Sequence, residues 1–212
     1  MSNDGGISAD QATQFPKTPQ PYVDEFYAQI NLIDEFCIKH NIKMWAIGGS
    51  LLGQVRGNAF IPWDDDNDVG VFESDGQFIF DTLRPLLKDL GGKHDLWKSV
   101  HGLKLISTQL AHAGTDIFFY RLRPTEPNIV ELASEQSRKQ WPNDFFLKEE
   151  LEGNLPRGTF GPITIPIPRN AERQLKSVYG ENCLTHSRLS GFNHFTNSAR
   201  TSVKKDVPLG SA

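Results

Sequence analysis

The sequence predicts an α/β fold, because segments with the apolar spacing of helices alternate with short apolar runs typical of buried strands. The chain has 212 residues, which suits one domain and is long enough to bury a substantial core without disulfides. Hydrophobic residues make up 38% of the chain and charged residues 23%, as in folded globular proteins rather than disordered ones. No internal repeat is visible.

Helices are predicted where apolar residues recur at helical spacing between capping or breaking residues. Ser50 and Asn170 are placed to cap the second and the last of these helices. Pro85 lies inside the third helix and is expected to kink or split it. The predicted helices cover residues 23–40, 50–56, 74–90 and 170–178.

Strands are predicted at short apolar runs, which cover residues 43–47, 66–72, 102–106 and 115–120. Residues 161–168 carry three prolines among apolar residues, so an edge strand or an extended connector is expected there. Residues 123–161 are heterogeneous and rich in Pro, Glu and Asn. We expect loops and short helices in this stretch, covering the functional site.

Composition divides the chain into three regions. Residues 1–20 are rich in Gly, Gln, Pro, Ser and Thr without periodicity, which predicts a loose N-terminal arm. Residues 21–185 carry the predicted helices and strands and form a single catalytic domain in this interpretation. Residues 186–212 form a polar C-terminal tail.

Charge and cysteine content restrict the class of protein. The formal charge of −4, with no long basic run, argues against nucleic acid as the main partner. The two cysteines, Cys37 and Cys183, form no CxxC pair and favour a reducing compartment. No apolar run approaches the ~20 residues that span a bilayer, and the first residues lack the features of a signal peptide. We therefore expect a cytoplasmic protein, held peripherally at the inner face of a membrane if its substrate is lipid-linked.

The strongest chemical signal is a run of four aspartates at positions 64, 65, 66 and 68. Because a strand alternates its faces, Asp66 and Asp68 point the same way, while Asn67 and Val69 point to the opposite face. Two carboxylates at this spacing can share one hard cation, and oxygen ligands favour Mg²⁺ or Mn²⁺ over zinc. A solvated acidic turn or a surface calcium loop gives a similar run. Apolar residues on both sides make clustered aspartates costly unless a cation holds them.

A glycine turn precedes the aspartates. Gly48, Gly49 and Ser50 lie between an apolar strand and a helix. Glycines let the backbone approach a phosphate, and a helix N-terminus offers free N–H groups, to which Ser50 can add a hydroxyl. A Gly-Gly pair is also an ordinary turn. A two-carboxylate strand about 17 residues downstream favours a site for phosphate and metal.

These residues carry a family likeness. The segments GGSLLG (48–53), Arg56 and FIPWDDDNDVG (60–70) resemble the LicD/fukutin-related phosphotransferase family, whose usual form is GGTLLG, then R, then GFIPWDDDxDIG. Ser50 replaces the common Thr and keeps its hydroxyl, while Asn67 stands where an apolar residue is usual. TDIF (115–118), GPITIPIP (161–168) and YG (179–180) are similar to later segments of the family.

The resemblance implies a nucleotidyltransferase-like fold, a small mixed sheet flanked by helices. It also implies transfer of a phospho-alcohol, such as phosphocholine or ribitol phosphate, from a CDP-activated donor to a sugar hydroxyl with release of CMP. By motif match, Asp66 and Asp68 would be the metal pair. Asp116 would be a third carboxylate on a neighbouring strand, either completing the metal site or acting as base for the acceptor hydroxyl.

Further residues near these motifs are candidates for substrate contact. Arg56, in the helix after the glycine turn, is placed to contact donor phosphate or to pair with the aspartates. Lys104 lies on a strand that should neighbour the site and is a candidate phosphate ligand. His101 is expected to be an ordinary polar residue, and Tyr179 with Gly180 a structural helix end.

Three hypotheses follow. The first is a Mg²⁺- or Mn²⁺-dependent phosphotransferase that uses a CDP-linked donor, with phosphocholine, ribitol phosphate or glycerol phosphate as the group moved, and a glycan or lipid-linked glycan as acceptor. The second is a nucleotidyltransferase that moves a nucleotide onto a small hydroxyl compound. The third is an inert nucleotide-binding module, against which three converging carboxylates argue.

Overall fold

The computed structural model describes residues 17–187, and beyond them the backbone of three two-residue strands at 192–193, 198–199 and 207–208. The predicted N-terminal arm lies outside the described residues except for positions 17–20, where the first helix already begins at Gln20. The predicted tail lies outside them except for residues 186–187 and those short strands.

The described part of the chain forms five α-helices. Four of them lie where apolar spacing predicted a helix, and one was not predicted. The addition is α4, a short helix whose N-cap Ser134 accepts a hydrogen bond from the N–H of Ser137. Two 3-10 helices, Lys148–Leu151 and Glu181–Leu184, follow later in the chain. The helices are α1 (Gln20–Lys39), α2 (Gly48–Gly57), α3 (Glu73–Asp89), α4 (Glu135–Gln140) and α5 (Ala171–Tyr179).

The strands build one large sheet and small two-stranded ladders. The large sheet contains β1 (Met44–Ala46), β2 (Asn67–Phe72), β3 (His94–Lys98), β4 (Gly102–Ser107), β5 (Gly114–Arg123), β6 (Glu126–Leu132) and β7 (Phe145–Leu147). A separate hairpin joins β8 (Arg157–Phe160) to β9 (Ile163–Pro166), so the 161–168 segment contains a strand of a two-stranded ladder. Of its three prolines only Pro166 lies in β9, while Pro162 and Pro168 lie on either side of it. The remaining pairs are β10 (His186–Ser187) with β13 (Val207–Pro208) and β11 (Phe192–Asn193) with β12 (Ser198–Ala199).

The large sheet has the order β1-β2-β5-β4-β3, and β6 joins the far end of β5 and carries β7. The β2 and β5 strands are parallel, and every other pairing in this sheet is antiparallel. This is a mixed sheet flanked by helices, so the predicted α/β class and the small mixed sheet are confirmed. A parallel pair requires a long crossover, which α3, β3 and β4 provide between β2 and β5.

The two faces of the sheet have different roles because side chains alternate along each strand. One face carries Val69, Ile117 and Leu105, which pack in the main core with the apolar sides of α1 and α3. The opposite face carries a smaller, largely aromatic cluster that includes Trp45 and Tyr120. Asp68 and Asp116 belong to this second face by their register, so the acidic groups lie beside the aromatic cluster rather than under the helices.

Three local predictions are wrong. Ser50 does not cap α2, because that helix begins at Gly48 after N-cap Ile47. Asn170 does stand at the N-cap of α5, as predicted, but its side chain makes no capping hydrogen bond. Pro85 does not split α3, which runs unbroken to Asp89 because packing of its buried face outweighs the lost hydrogen bond. The 123–161 stretch contains the seven-residue strand β6, in addition to short helices.

None of the helices over the described residues is long and apolar enough to cross a membrane.

A close contact between β1 and β2 generates a stability prediction. Gly70 lies under the fully buried ring of Trp45, and a Cβ at this position would lie 2.7 Å from Trp45 Cε2. Gly70→Ala should therefore lower the free energy of unfolding by about 1–3 kcal/mol through overpacking, measured by urea denaturation. In Gly57→Ala the new Cβ meets nothing within 4 Å, so stability should hold or rise by up to ~1 kcal/mol. Equal stability of the two variants would contradict the contact.

Candidate active site

The register of three neighbouring strands places the charged groups in one row. Asp68 on β2 lies directly beside Asp116 on β5, and Asp116 lies opposite Lys104 on β4. Asp66, just before β2, comes to the same place. Ligand oxygens of Asp66, Asp68 and Asp116 all lie within 4.8 Å of one another, which is close enough to share a cation. The structure thus brings the three predicted carboxylates together.

The carboxyl group of Asp68 sits in an acidic environment. Burial, followed by the charges of Asp66, Asp116 and Asp64, raises the pKa of Asp68 well above its ordinary value, and a weak bond from the N–H of Gly49 at 3.4 Å opposes this shift. Such an environment favours the neutral acid unless a cation enters. The protein therefore supplies a site where positive charge is stabilised.

Asp116 differs from Asp68 because it has cationic neighbours. Its Oδ2 accepts a hydrogen bond from Lys104 Nζ at 2.7 Å, and its Oδ1 lies 3.6 Å from Nε2 of His101. Burial alone would raise the pKa of Asp116, but His101 and Lys104 together hold it below its ordinary value. Asp116 is thus an ionised carboxylate with one side turned to Lys104 and the other available to the site.

The glycine turn lies against the aspartates. Gly48 opens α2 with φ of +53°, and a Cβ on it would lie 2.4 Å from Asp68 Oδ2. A Cβ on Gly49 would lie 2.3 Å from Asp64 Oδ2. Both positions therefore require glycine, since any side chain would displace a carboxylate. The N-terminus of α2 and the acidic cluster form one continuous wall.

Ser50 and Asn67 connect the glycine turn to β2. The Ser50 hydroxyl accepts a hydrogen bond from the N–H of Asp68 at 2.9 Å and donates to Asn67 Oδ1 at 3.4 Å. Both side chains are buried, at 2% and 0% exposure. The polar residue at position 67 is therefore the partner of Ser50, and the pair holds the backbone of Asp68 against α2.

Arg56 is held by backbone carbonyl groups that follow α5, and the charge of Asp64 also acts on it. Its Nε donates to the carbonyl oxygen of Cys183 at 2.8 Å, and its Nη2 donates to the carbonyls of Cys183 and His186. These bonds tie α2 to the segment after α5 and give Arg56 a structural role. Its predicted contact with donor phosphate stays a prediction.

Three residues near the site were not assigned to it by sequence reasoning. His101 precedes β4, stacks on Phe118 with ring centroids 4.5 Å apart, and reaches Asp116. Tyr179, the last residue of α5, is 44% exposed, and burial, followed by the charges of Asp68 and Asp64, raises the pKa of its hydroxyl well above its ordinary value. Asp144, in the turn before β7, belongs to no motif.

The pairing of Lys104 with Asp116 predicts a stability loss that depends on pH. Lys104→Met should cost about 1–3 kcal/mol at pH 7 in EDTA, because the buried Asp116 carboxylate loses its hydrogen bond to a cationic group and keeps only His101 at 3.6 Å. The folded pKa of Asp116 is lowered, so its contribution is present above the unfolded pKa near 4 and is lost as the pH falls. Urea denaturation at pH 7 and pH 4 should show a smaller loss at pH 4. Lys139→Met breaks an exposed pair with Glu135 and should show no such dependence.

The chain is similar in sequence to three curated bacterial proteins. An uncharacterised protein of Rickettsia typhi is 32% identical over 149 residues, or 69% of this chain and 43% of the relative. One of Rickettsia prowazekii is 29% identical over 149 residues, or 69% and 51%. Lipopolysaccharide cholinephosphotransferase LicD of Haemophilus influenzae is 38% identical over 56 residues, or 25% and 21%. The chain thus spans about half, or less, of the curated relatives it matches.

A solved structure, that of the antibiotic-resistance factor ANT(2'')-Ia, matches with a TM-score of 0.39 and 14% identity over 71% of this chain and 69% of that one. A family model described as LicD/FKTN/FKRP, nucleotidyltransferase domain, matches residues 41–170, which is more than half of the chain and includes every residue of the predicted metal site. The chain therefore belongs to the LicD/FKTN/FKRP family, a family of phosphotransferases and nucleotidyltransferases.

Proposed function

We propose that this chain is a Mg²⁺-dependent phosphotransferase that moves a phospho-alcohol from a CDP-activated donor to a glycan hydroxyl and releases CMP. The observation that carries the proposal is the convergence of Asp66, Asp68 and Asp116 within 4.8 Å, against the glycine turn at the N-terminus of α2. A metal site directly beside a phosphate site suits phosphoryl transfer, because the cation can then contact the reacting phosphate.

The three carboxylates fit a hard divalent cation. All the ligand atoms are oxygens, as Mg²⁺ and Mn²⁺ prefer. The pKa of Asp68 is raised by burial and by neighbouring carboxylates, which marks uncompensated negative charge. Oδ1 of Asp116 is buried without a hydrogen-bond partner among the described residues, so it has a free lone pair for a metal. When bound, the cation would offset the charge that builds on the phosphate oxygens.

The backbone of the glycine turn supplies the phosphate contacts in this proposal. The first amides of α2, at Gly48 and Gly49, have no helical partners and lie beside the carboxylates. We had also expected the hydroxyl of Ser50 to contact phosphate. That hydroxyl is bonded to Asp68 N–H and to Asn67, so it orients Asp68, and its contact with phosphate stays a prediction.

Lys104 and Asp116 act as a pair in the proposed reaction. The cationic Lys104 keeps Asp116 ionised, and a carboxylate with a lowered pKa is a good metal ligand and a weak proton acceptor. This favours metal binding for Asp116 over the alternative role of base. Lys104, at 29% side-chain exposure, also remains close enough to the surface to meet a phosphate.

The named relative supports the class of substrate. The matching protein of Haemophilus influenzae is a lipopolysaccharide cholinephosphotransferase, which suggests phosphocholine as the group moved and a lipid-linked glycan as acceptor. Ribitol phosphate and glycerol phosphate from the corresponding CDP donors are the other candidates. A cytoplasmic site at the inner face of a membrane suits such an acceptor.

Removing the carboxylate of Asp66, just before β2, or of Asp68 in β2 should abolish turnover. Asp66→Asn and Asp68→Asn should each lower CMP release from the active donor by a factor of about 100 or more, since metal stabilisation of the reacting phosphate contributes several kcal/mol. The melting temperature should remain that of a folded protein. Asp81→Asn, on the exposed face of α3 where Asp81 only pairs with Gln77, is the matched control and should keep full activity. Full activity in either site variant would overturn the assignment.

The identity of the donor can be read from ligand stabilisation. With Mg²⁺ present, CDP-choline, CDP-ribitol or CDP-glycerol should raise the melting temperature more than plain nucleoside triphosphates do. The active donor should then release CMP when an acceptor is added. Stabilisation by a triphosphate alone, together with release of pyrophosphate, would instead establish the second hypothesis of nucleotidyl transfer to a small hydroxyl compound.

A further inference from the structure

A fourth carboxyl group lies on the same face of the sheet as the proposed metal site. Residues Asp116, Phe118 and Tyr120 alternate along β5 and therefore share one face. The Tyr120 ring is fully buried, and its hydroxyl donates to Oδ1 of Asp144 at 3.0 Å. Asp144 thus occupies the aromatic end of the face whose acidic end holds Asp116.

The Asp144 side chain is held by one of its two oxygens. Nε2 of Gln174, on α5, donates to the same Oδ1 at 2.9 Å, and Gln174 is 1% exposed. Oδ2 receives no hydrogen bond from any residue in the described part of the chain. Because Asp144 is itself partly exposed, two buried donors fix the orientation of the carboxyl group and leave its second oxygen available.

The backbone around Asp144 is also anchored. Its N–H donates to the carbonyl oxygen of Trp141 at 3.1 Å, which closes the Trp141–Asp144 turn. The hydroxyl of Ser177 on α5 donates to the carbonyl oxygen of Asn143 at 3.1 Å and ties the turn to that helix. A carboxyl group on a turn braced in this way is preorganised, as catalytic groups require.

Two ring contacts place this turn near the proposed metal site. The ring of Trp141 lies edge-on to His101, with centroids 5.9 Å apart, and His101 reaches Asp116. The same ring lies edge-on to Phe118, which stands between Asp116 and Tyr120 on the shared face, with centroids 5.5 Å apart. The Trp141–Asp144 turn therefore covers the face of β5 that carries Asp116.

The electrostatics of Asp144 are opposite to those of Asp116. Burial raises the pKa of Asp144 to about 6, against hydrogen bonds from Tyr120 and Gln174 that lower it. The groups that face it are the Tyr120 and Tyr179 phenols and the Gln174 amide. A carboxyl with a pKa near the operating pH is an effective proton acceptor, whereas Asp116 is held ionised by Lys104.

We propose that Asp144 is the general base of the transfer and that its Oδ2 takes the proton of the acceptor hydroxyl, directly or through one water. The inference rests on the proposed function. As the acceptor oxygen forms its bond to phosphorus, the bond from phosphorus to the bridging oxygen of the donor breaks, and CMP leaves with that electron pair. The proton on Asp144 then passes to solvent, so the step needs no further reactant.

The first test compares Asp144→Asn with the wild type. The amide oxygen of Asn keeps the bonds from Tyr120 and Gln174, so the fold and donor binding should persist. With saturating Mg²⁺, CMP release from CDP-choline, CDP-ribitol and CDP-glycerol is measured with water or a lipopolysaccharide-derived oligosaccharide as acceptor. We expect kcat/KM to fall by about 10²- to 10⁴-fold at pH 7. The acid limb of the pH profile, which is the decline of kcat/KM below a pKa of about 6, should disappear. Wild-type kcat/KM in the variant overturns the inference.

A second variant separates a proton acceptor from a structural residue. Tyr120→Phe keeps the ring but removes a donor that lowers the pKa of Asp144, so the acid limb of kcat/KM should move to higher pH by about one unit. If Asp144 had a purely structural role, Tyr120→Phe would lower the stability of the protein without moving the acid limb. Tyr22→Phe is the matched control, because its hydroxyl donates to Ala111 at the surface, and it should keep the wild-type profile.

Failure of the inference is distinguishable from failure of the proposed function. If the wild type releases CMP from none of the three donors, both the proposed function and the role of Asp144 as general base are wrong. If the wild type releases CMP and Asp144→Asn does so equally well, only the base is wrong. Loss of the acid limb in His101→Asn with its retention in Asp144→Asn would assign the proton to His101 instead.

Discussion

The parallel pairing of β2 with β5 is the constraint on which the rest of the site depends. It sets Asp68 beside Asp116 with no stagger, and it is the one parallel pairing in the large sheet. A slip of one residue would turn Asp116 to the face that packs against the helices, where a carboxylate has no partner. The crossover through α3, β3 and β4 therefore serves the site as well as the fold, because it fixes this register and delivers Lys104 to the other side of Asp116.

The carboxyl groups near the site have different surroundings, which shift their pKa values in opposite directions. His101 and Lys104 favour the ionised form of Asp116, whereas Asp68 has mainly acidic neighbours and Asp144 accepts its hydrogen bonds from a phenol and an amide. In the proposed reaction this difference divides the work between groups that hold positive charge and a group that exchanges a proton.

Periodicity was sufficient to predict four of the five described α-helices and the strands β1, β2, β4 and β5, but not β3, β6, β7 or β8. The alternation of strand faces singled out Asp66 and Asp68, and a short apolar run located the strand of Asp116. The sequence placed Lys104 only on a strand near the site. Its direct pairing with Asp116, 12 residues away, depends on the register between β4 and β5, which the sequence does not define. Asp144 could not be found, since its partners Tyr120 and Gln174 are 24 and 30 residues away and no local pattern marks them. Ser50 was misjudged as a cap because its competing partner, the N–H of Asp68, is supplied by tertiary structure.

The shared wall between the glycine turn and the aspartates has a thermodynamic consequence. Gly48 and Gly49 have carboxylate oxygens where side-chain atoms would otherwise stand, so an anion bound at the start of α2 would lie directly against Asp68 and Asp64. In the proposed reaction, repulsion at this range would oppose a donor that arrives without its cation, and a bound donor would in turn raise the affinity of the site for the cation. The affinities of the two proposed ligands would then be reciprocally linked, so that donor and cation occupy the site together.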